Sequence, residues 1–128
     1  MRYLLDSCAW IFLLTGNDKL SNEQRRVIQY PDNVIYLSVV SIWEMTIKVN
    51  KGKLKLPKPL QSLIFEACVQ DGYKILALDV FSVLNTQNLP QHHKDPFDRM
   101  LISQAIENDL TLITVDPKFS QYQVKLLI

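Results

Sequence analysis

Tyr3-Leu4-Leu5-Asp6 opens the chain with a short, uninterrupted apolar run closed by an acid. Such a run reads as a strand buried on both faces, the kind found in parallel sheets. An acid that closes a buried strand is costly without a partner, so Asp6 calls for one. The same pattern recurs along the chain. Val34–Leu37 is a second β-rich run, Lys74–Leu78 a third and Thr111–Thr114 a fourth, while Val124–Leu127 is a candidate fifth.

Helical segments fill the gaps. Ala9–Leu14 reads as helix, and Gly16-Asn17-Asp18 breaks it. Ser21-Asn22-Glu23-Gln24 is a capping box, and the helix it starts ends at Pro31-Asp32-Asn33. Ser38 or Ser41 can cap a helix reaching about Asn50, with Ile42, Met45, Thr46 and Val49 at helical spacing. After the break at Lys51-Gly52-Lys53, prolines keep Leu54–Pro59 extended. Leu60–Gln70 is helical, and Gly72 suits its end. Asp79 caps Val80–Thr86, and Asp95-Pro96 starts a helix with a capping acid followed by proline. Strands alternating with helices predict an α/β fold: a central parallel sheet of four to five strands with helices on both faces.

No linker, repeat or low-complexity tract divides the 128 residues, which suit one domain spanning 1–128. A hydrophobic share of 48% with 21% charged residues is a globular balance. The net charge of +1 gives no general field for a polyanion, so any nucleic-acid partner needs local features or bound cations. Cys8 and Cys68 lack metal-binding spacing and read as two buried free thiols, in keeping with a cytoplasmic location. The early Asp6 is unlike a signal peptide, and no apolar run approaches the ~20 residues of a membrane span.

Four acids stand out by position. Asp6 and Asp116 each follow a strand, where sites of open α/β sheets collect. Glu44 falls in the first turn of the helix after the second strand, and Asp98 in that of the helix before the fourth. In a parallel sheet, strand ends and first turns of helices share one edge, so these carboxylates can converge. Brought together they repel, and must hold protons or share hard cations such as Mg²⁺ or Mn²⁺. Such cations can serve phosphodiester hydrolysis. Read singly, Glu44 also fits a capping box with Ser41, Asp98 fits the helix macrodipole, and Asp116 before Pro117 fits a cap.

In order along the chain come Tyr3-Leu4-Leu5-Asp6-Ser7, then Leu37-Ser38-Val39-Val40-Ser41-Ile42-Trp43-Glu44, then Lys51-Gly52-Lys53-Leu54-Lys55-Leu56-Pro57. His92-His93-Lys94-Asp95-Pro96-Phe97-Asp98-Arg99-Met100-Leu101-Ile102 and Leu112-Ile113-Thr114-Val115-Asp116 complete the series. With these segments the chain resembles the PIN-domain ribonucleases, and among them the VapC-type toxins of toxin–antitoxin modules, over nearly its whole length.

The resemblance implies a metal-dependent endoribonuclease with Asp6, Glu44, Asp98 and Asp116 as its catalytic acids. Asp6, Asp98 and Asp116 would hold one or two Mg²⁺ or Mn²⁺ ions, and Glu44 would bind or orient a metal water. Ser7, Asp95, Arg99 and Thr114 are auxiliary candidates. Ser7 stands where many relatives have threonine, and Cys8 where many have histidine, which leaves any role for the latter side chain in doubt. Asp95 has a capping job, Arg99 suits an ion pair with an acid or a phosphate contact, and His92 and His93 read as exposed loop residues. The implied chemistry is in-line attack of water on single-stranded RNA, leaving a 5′-phosphate and a 3′-hydroxyl.

Implied partners are RNA, a cognate antitoxin and a second copy of the chain, with no membrane. Trp10, Phe12 and Trp43 are candidates for that dimer contact, with core packing as their other reading, while Lys48, Lys51, Lys53 and Lys55 read as a solvated loop that could also guide RNA. A phosphate-receiving signalling domain fits poorly, because Asp6 stands alone after the first strand. A binding module that has lost catalysis would not need all the acids.

Overall fold

β1 (Arg2–Leu5) lies at the centre of the sheet because its apolar side chains are needed on both faces. Tyr3 and Leu5 enter one core, whereas Leu4 enters the other. The computed structural model describes all 128 residues. After β1 come α1 (Ser7–Thr15), α2 (Asn22–Gln29), β2 (Val34–Ser38), α3 (Val39–Asn50) and α4 (Leu60–Val69). They are followed by β3 (Lys74–Leu76), α5 (Val80–Asn85), a 3₁₀ turn at Thr86–Asn88, α6 (Pro96–Glu107) and β4 (Thr111–Ile113). A second 3₁₀ turn at Pro117–Gln121 and β5 (Leu126–Leu127) end the chain.

All strand pairs are parallel, in the order β3-β2-β1-β4-β5. The α/β expectation therefore holds, with five strands. β1 pairs with β2 on one side and β4 on the other, so the chain reverses its direction of growth between β1 and β4. That reversal opens a crevice beyond the carboxyl ends of those strands. α1 to α4 contribute Ala9, Trp10, Ile28, Met45, Leu63 and Ala67 to the core on one face. On the other face α6 packs Leu101, Ile102 and Ala105 with Phe119 and Tyr122.

Polar latches fix the carboxyl edge. Ser21 and Gln24 form the expected capping box on α2. The buried Gln24 amide also donates to the Thr114 carbonyl at 2.9 Å and the Leu127 carbonyl at 3.1 Å. It ties α2 to the ends of β4 and β5, adding a second bond to the Leu127 carbonyl, which already accepts the Thr114 N–H.

Several local expectations change. α1 starts at Ser7, not Ala9, because Asp6 caps it as well as closing β1. The segment Val80–Thr86 divides into α5 and a 3₁₀ turn. Ser38, not Ser41, caps α3, so Glu44 lies in the second turn and takes no part in a capping box. Both cysteines are free, but Cys8 is exposed and Cys68 half-buried, so they are not two buried thiols. Trp10 is wholly buried and Phe12 packs against the core, whereas Trp43 stands 62% exposed.

Candidate functional site

Asp6 is buried at the base of the crevice. One oxygen accepts the Ala9 N–H at 2.7 Å, capping α1, and the other accepts the Thr114 hydroxyl at 2.6 Å. Thr114 Oγ1 in turn accepts the Asp116 N–H at 3.1 Å, so one hydroxyl joins the ends of β1 and β4. Burial raises the Asp6 pKa to about 6 against these hydrogen bonds, and Glu44 and Asp116 add to the rise.

Glu44 comes from α3. Its carboxylate accepts the Ser7 hydroxyl at 2.8 Å and lies 3.3 Å from the Lys48 ammonium one turn later. Burial pulls the Lys48 pKa down, but the neighbouring Glu44 charge outweighs it and leaves the ammonium raised. Asp98 comes from the first turn of α6, where Asp95 does the capping by accepting the Phe97 and Asp98 N–H groups. Asp98 is pushed up to about 7, first by burial and then by the charges of Asp95, Glu44, Asp6 and Asp116. Asp116 caps the 3₁₀ turn by accepting the Lys118 N–H at 2.9 Å and keeps its other oxygen toward the crevice.

His93 joins this group, contrary to the expectation of an exposed loop. Its Nε2 lies 2.9 Å from Asp98 Oδ2 and 3.5 Å from Asp116 Oδ2. The ligand-type atoms of His93, Asp98 and Asp116 all fall within 4.8 Å of one another. His93 is nevertheless a poor metal ligand in this pose. Its Nδ1 accepts the Asp95 N–H at 3.2 Å, which assigns the ring proton of the neutral form to Nε2. The Nε2–H therefore faces the two carboxylates as a donor, buried and in line with neither. The ring is held by its own backbone N–H, which donates to Tyr122 Oη at 2.8 Å, and by edge contact with Phe119. His92 remains exposed and packs edge-on against Tyr122. The burial of His93 has no periodic signature in the sequence; only its closeness to Asp95-Pro96-Phe97-Asp98 hinted at it.

Arg99 neither pairs with an acid nor points at the carboxylates. Its guanidinium donates to the carbonyls of Pro90 at 2.7 Å, Thr86 at 2.8 Å and Leu89 at 3.4 Å, and to Tyr122 Oη at 3.3 Å. It staples the loop that carries His93 to α6. Cys8, on the first turn of α1, is exposed at its surface, yet desolvation by its surroundings and then the Asp6 charge push its thiol up to about 11. At neutral pH it is a thiol, not a soft anionic ligand.

The arrangement can hold a hard divalent cation. Asp98 and Asp116 present oxygens to the crevice, Asp6 lies behind them, and burial leaves the group short of positive charge. A cavity of about 520 Å³, lined by Arg25, Tyr30 and Tyr73 among others, lies at the opposite edge of the sheet and contains none of these acids.

A family model, PIN domain, matches residues 3–125 of the chain. No curated protein matches it in sequence. Among solved structures, the chain is similar to VapBC2 from Rickettsia felis, crystallised with a DNA fragment from its promoter. The TM-score is 0.75 at 19% identity, covering 99% of this chain and 98% of that one. It is also similar to FitAcB from Neisseria gonorrhoeae, with TM-score 0.68, 20% identity, and coverage of 100% and 97%. A toxin–antitoxin complex from Klebsiella pneumoniae gives TM-score 0.66 at 18% identity, covering 98% and 96%.

Proposed function

The chain belongs to the PIN domain family, and from that premise we propose that it is a metal-dependent endoribonuclease, the toxin of a toxin–antitoxin pair. The observation that carries the reading is the gathering of Asp6, Glu44, Asp98 and Asp116 beyond the carboxyl ends of β1 and β4, with Asp6 and Asp98 both pushed up. Residues 1–128 act as one nuclease domain in the cytoplasm; no helix is long and apolar enough to cross a membrane.

Asp98 and Asp116 would hold Mg²⁺ or Mn²⁺, as one or two ions, with Asp6 as the inner carboxylate. When bound, the cation supplies positive charge against the phosphodiester's developing negative charge and makes water a better nucleophile. The chain's own residues set the geometry. Thr114 and the Ala9 N–H fix Asp6, Ser7 and Lys48 fix Glu44, which would orient a metal-bound water, and Asp95 orders the turn that presents Asp98. Arg99 anchors the loop behind it. Single-stranded RNA suits the open crevice, because its backbone can be drawn in where a duplex is too stiff.

An acidic, cation-hungry crevice would also accept the basic side chain of an antitoxin segment, and the toxin–antitoxin complex among the similar structures supports that partner class. RNA ends mapped in cells after brief induction test the reading. The expected result is new 5′-phosphate ends that vanish when the antitoxin is co-expressed; an RNA profile unchanged by induction would count against it.

A second copy of the chain is the proposed cover for the apolar face of α5. Val80, Phe81 and Leu84 are more than half exposed there, with Ile106 of α6 beside them. This patch replaces Trp10 and Phe12, which the core consumes, as the candidate dimer contact. Phe81→Glu should turn a dimer into a monomer in analytical ultracentrifugation at micromolar concentration. A wild-type monomer, or a variant that stays dimeric, would remove α5 from the interface.

A further inference from the structure

A cleft of about 420 Å³ runs between α3 and the start of α6, lined by Glu44, Lys48, Lys94 and Phe97 among others. Its size lies in the range of roughly 300–1,000 Å³ typical of small-ligand sites. Glu44 belongs both to this cleft and to the carboxylate group, and Phe97 immediately precedes Asp98. The cleft is therefore the direct continuation of the candidate site, not a separate depression.

Its chemistry has two halves. The acids on its wall are already engaged: Glu44 with Ser7 and Lys48, Asp95 with the helix N–H groups it caps. Lys94 is exposed and has no ion pair, and the Lys48 side chain is 43% exposed. Lys94 is thus the cleft's one unpaired cation, with the half-exposed Lys48 held beside it by Glu44. The other half is aromatic: Phe97 lines the cleft, and Trp43 stands beside it at the rim. Trp43 meets Phe97 edge-on with ring centroids 5.2 Å apart, yet remains 62% exposed. Trp43 is the more unusual of the chain's two tryptophans, because Trp10 shows how this fold buries such a ring when it can.

We propose that this cleft and its rim seat the nucleotide next to the scissile bond, its base against the Phe97–Trp43 ring pair and its phosphate on Lys94, with the Glu44-held Lys48 beside it. The inference rests on the nuclease reading and specifies where its substrate lies. A basic peptide is the poorer occupant at this end, since it would meet the unpaired Lys94 and leave the rings without a base to stack. A nucleotide of a single strand matches both halves at once: the phosphate takes the lysines and the unstacked base takes the rings. Glu44 and Asp98 then flank the neighbouring phosphate.

The test reads binding of a short, labelled, mixed-sequence single-stranded RNA in EDTA, so that cleavage does not intervene. Tryptophan emission should be quenched on binding, because Trp43 is the exposed indole. Trp43→Leu, an exposed substitution, should weaken binding about 10-fold, since stacking on one base is worth about 1–3 kcal/mol. It should not weaken binding of the matching abasic ribose-phosphate chain. Lys94→Gln should lower the salt dependence of binding by about one phosphate contact.

Equal affinity of wild type and Trp43→Leu for RNA would overturn the proposal, as would an equal loss for intact and abasic chains. So would a Trp43→Leu protein that binds RNA normally but no longer holds an antitoxin, which would assign the rings to the protein partner. Cleavage with Mn²⁺ separates the two readings. A protein that cleaves while Trp43→Leu binds normally loses only the subsite; one that shows the stacking signature without cleaving loses the nuclease reading.

Discussion

Asp98→Asn should lower metal-dependent RNA cleavage about a thousandfold or more, because a cation's charge stabilisation is worth several kcal/mol in the transition state. The same substitution should make the metal-free protein more stable at about pH 8. Asp98 sits at about 7 in the folded chain against an ordinary 3.8, raised first by burial and then by Asp95 and Glu44. A folded-state pKa above the unfolded one means that the native state holds the proton more tightly. Its contribution is complete below the unfolded value and is lost as pH rises through the folded one.

Metal-free wild type should therefore lose stability between about pH 4 and 7, with Asp6 acting in the same direction through about 6. Asparagine carries no charge to bury, so the variant should escape its share, about 2–3 kcal/mol after allowing for partial solvent screening. Mn²⁺ should raise the melting temperature of wild type at alkaline pH and leave Asp98→Asn nearly unmoved. Thermal melts across pH, with and without Mn²⁺, measure all of this. Parallel pH profiles for the two proteins would show that Asp98 is not a strained acid.

Arg99→Ala should destabilise the protein by about 2–4 kcal/mol, judged from the loss of charged hydrogen bonds to carbonyls that then lack partners. The Arg99 fork holds Thr86, Leu89, Pro90 and Tyr122 at once, closing the loop that delivers His93. Lysine offers one point charge instead of a planar fork, so Arg99→Lys should recover less than half of the loss. Urea denaturation reads the effect directly. An unchanged midpoint accompanied by a large rise in KM for RNA would instead make Arg99 a phosphate contact.

The sheet was legible because each strand is built on a short apolar run between turn signals, as in Tyr3–Leu5 and Leu112–Ile113. Asp6 and Asp116 were legible for the same reason: a strand end in a parallel sheet fixes where the next residue goes. Glu44 was placed a turn too early, because Ser38 and Ser41 offer equal local capping chemistry. Ser38 wins because the helix follows β2 without a break; its hydroxyl also donates to Gln104. Arg99 and His93 were misjudged because their partners are backbone carbonyls, a backbone N–H and a tyrosine hydroxyl, groups that any sequence supplies and no motif advertises.

The proposed function requires these carboxylates to hold the cation that cuts RNA. Incubating the purified protein with single-stranded RNA and Mn²⁺, with EDTA and Asp6→Asn as controls, tests it most directly. Cleavage that leaves 5′-phosphate ends and disappears with either control is the expected result. Cleavage that survives both EDTA and Asp6→Asn would contradict it.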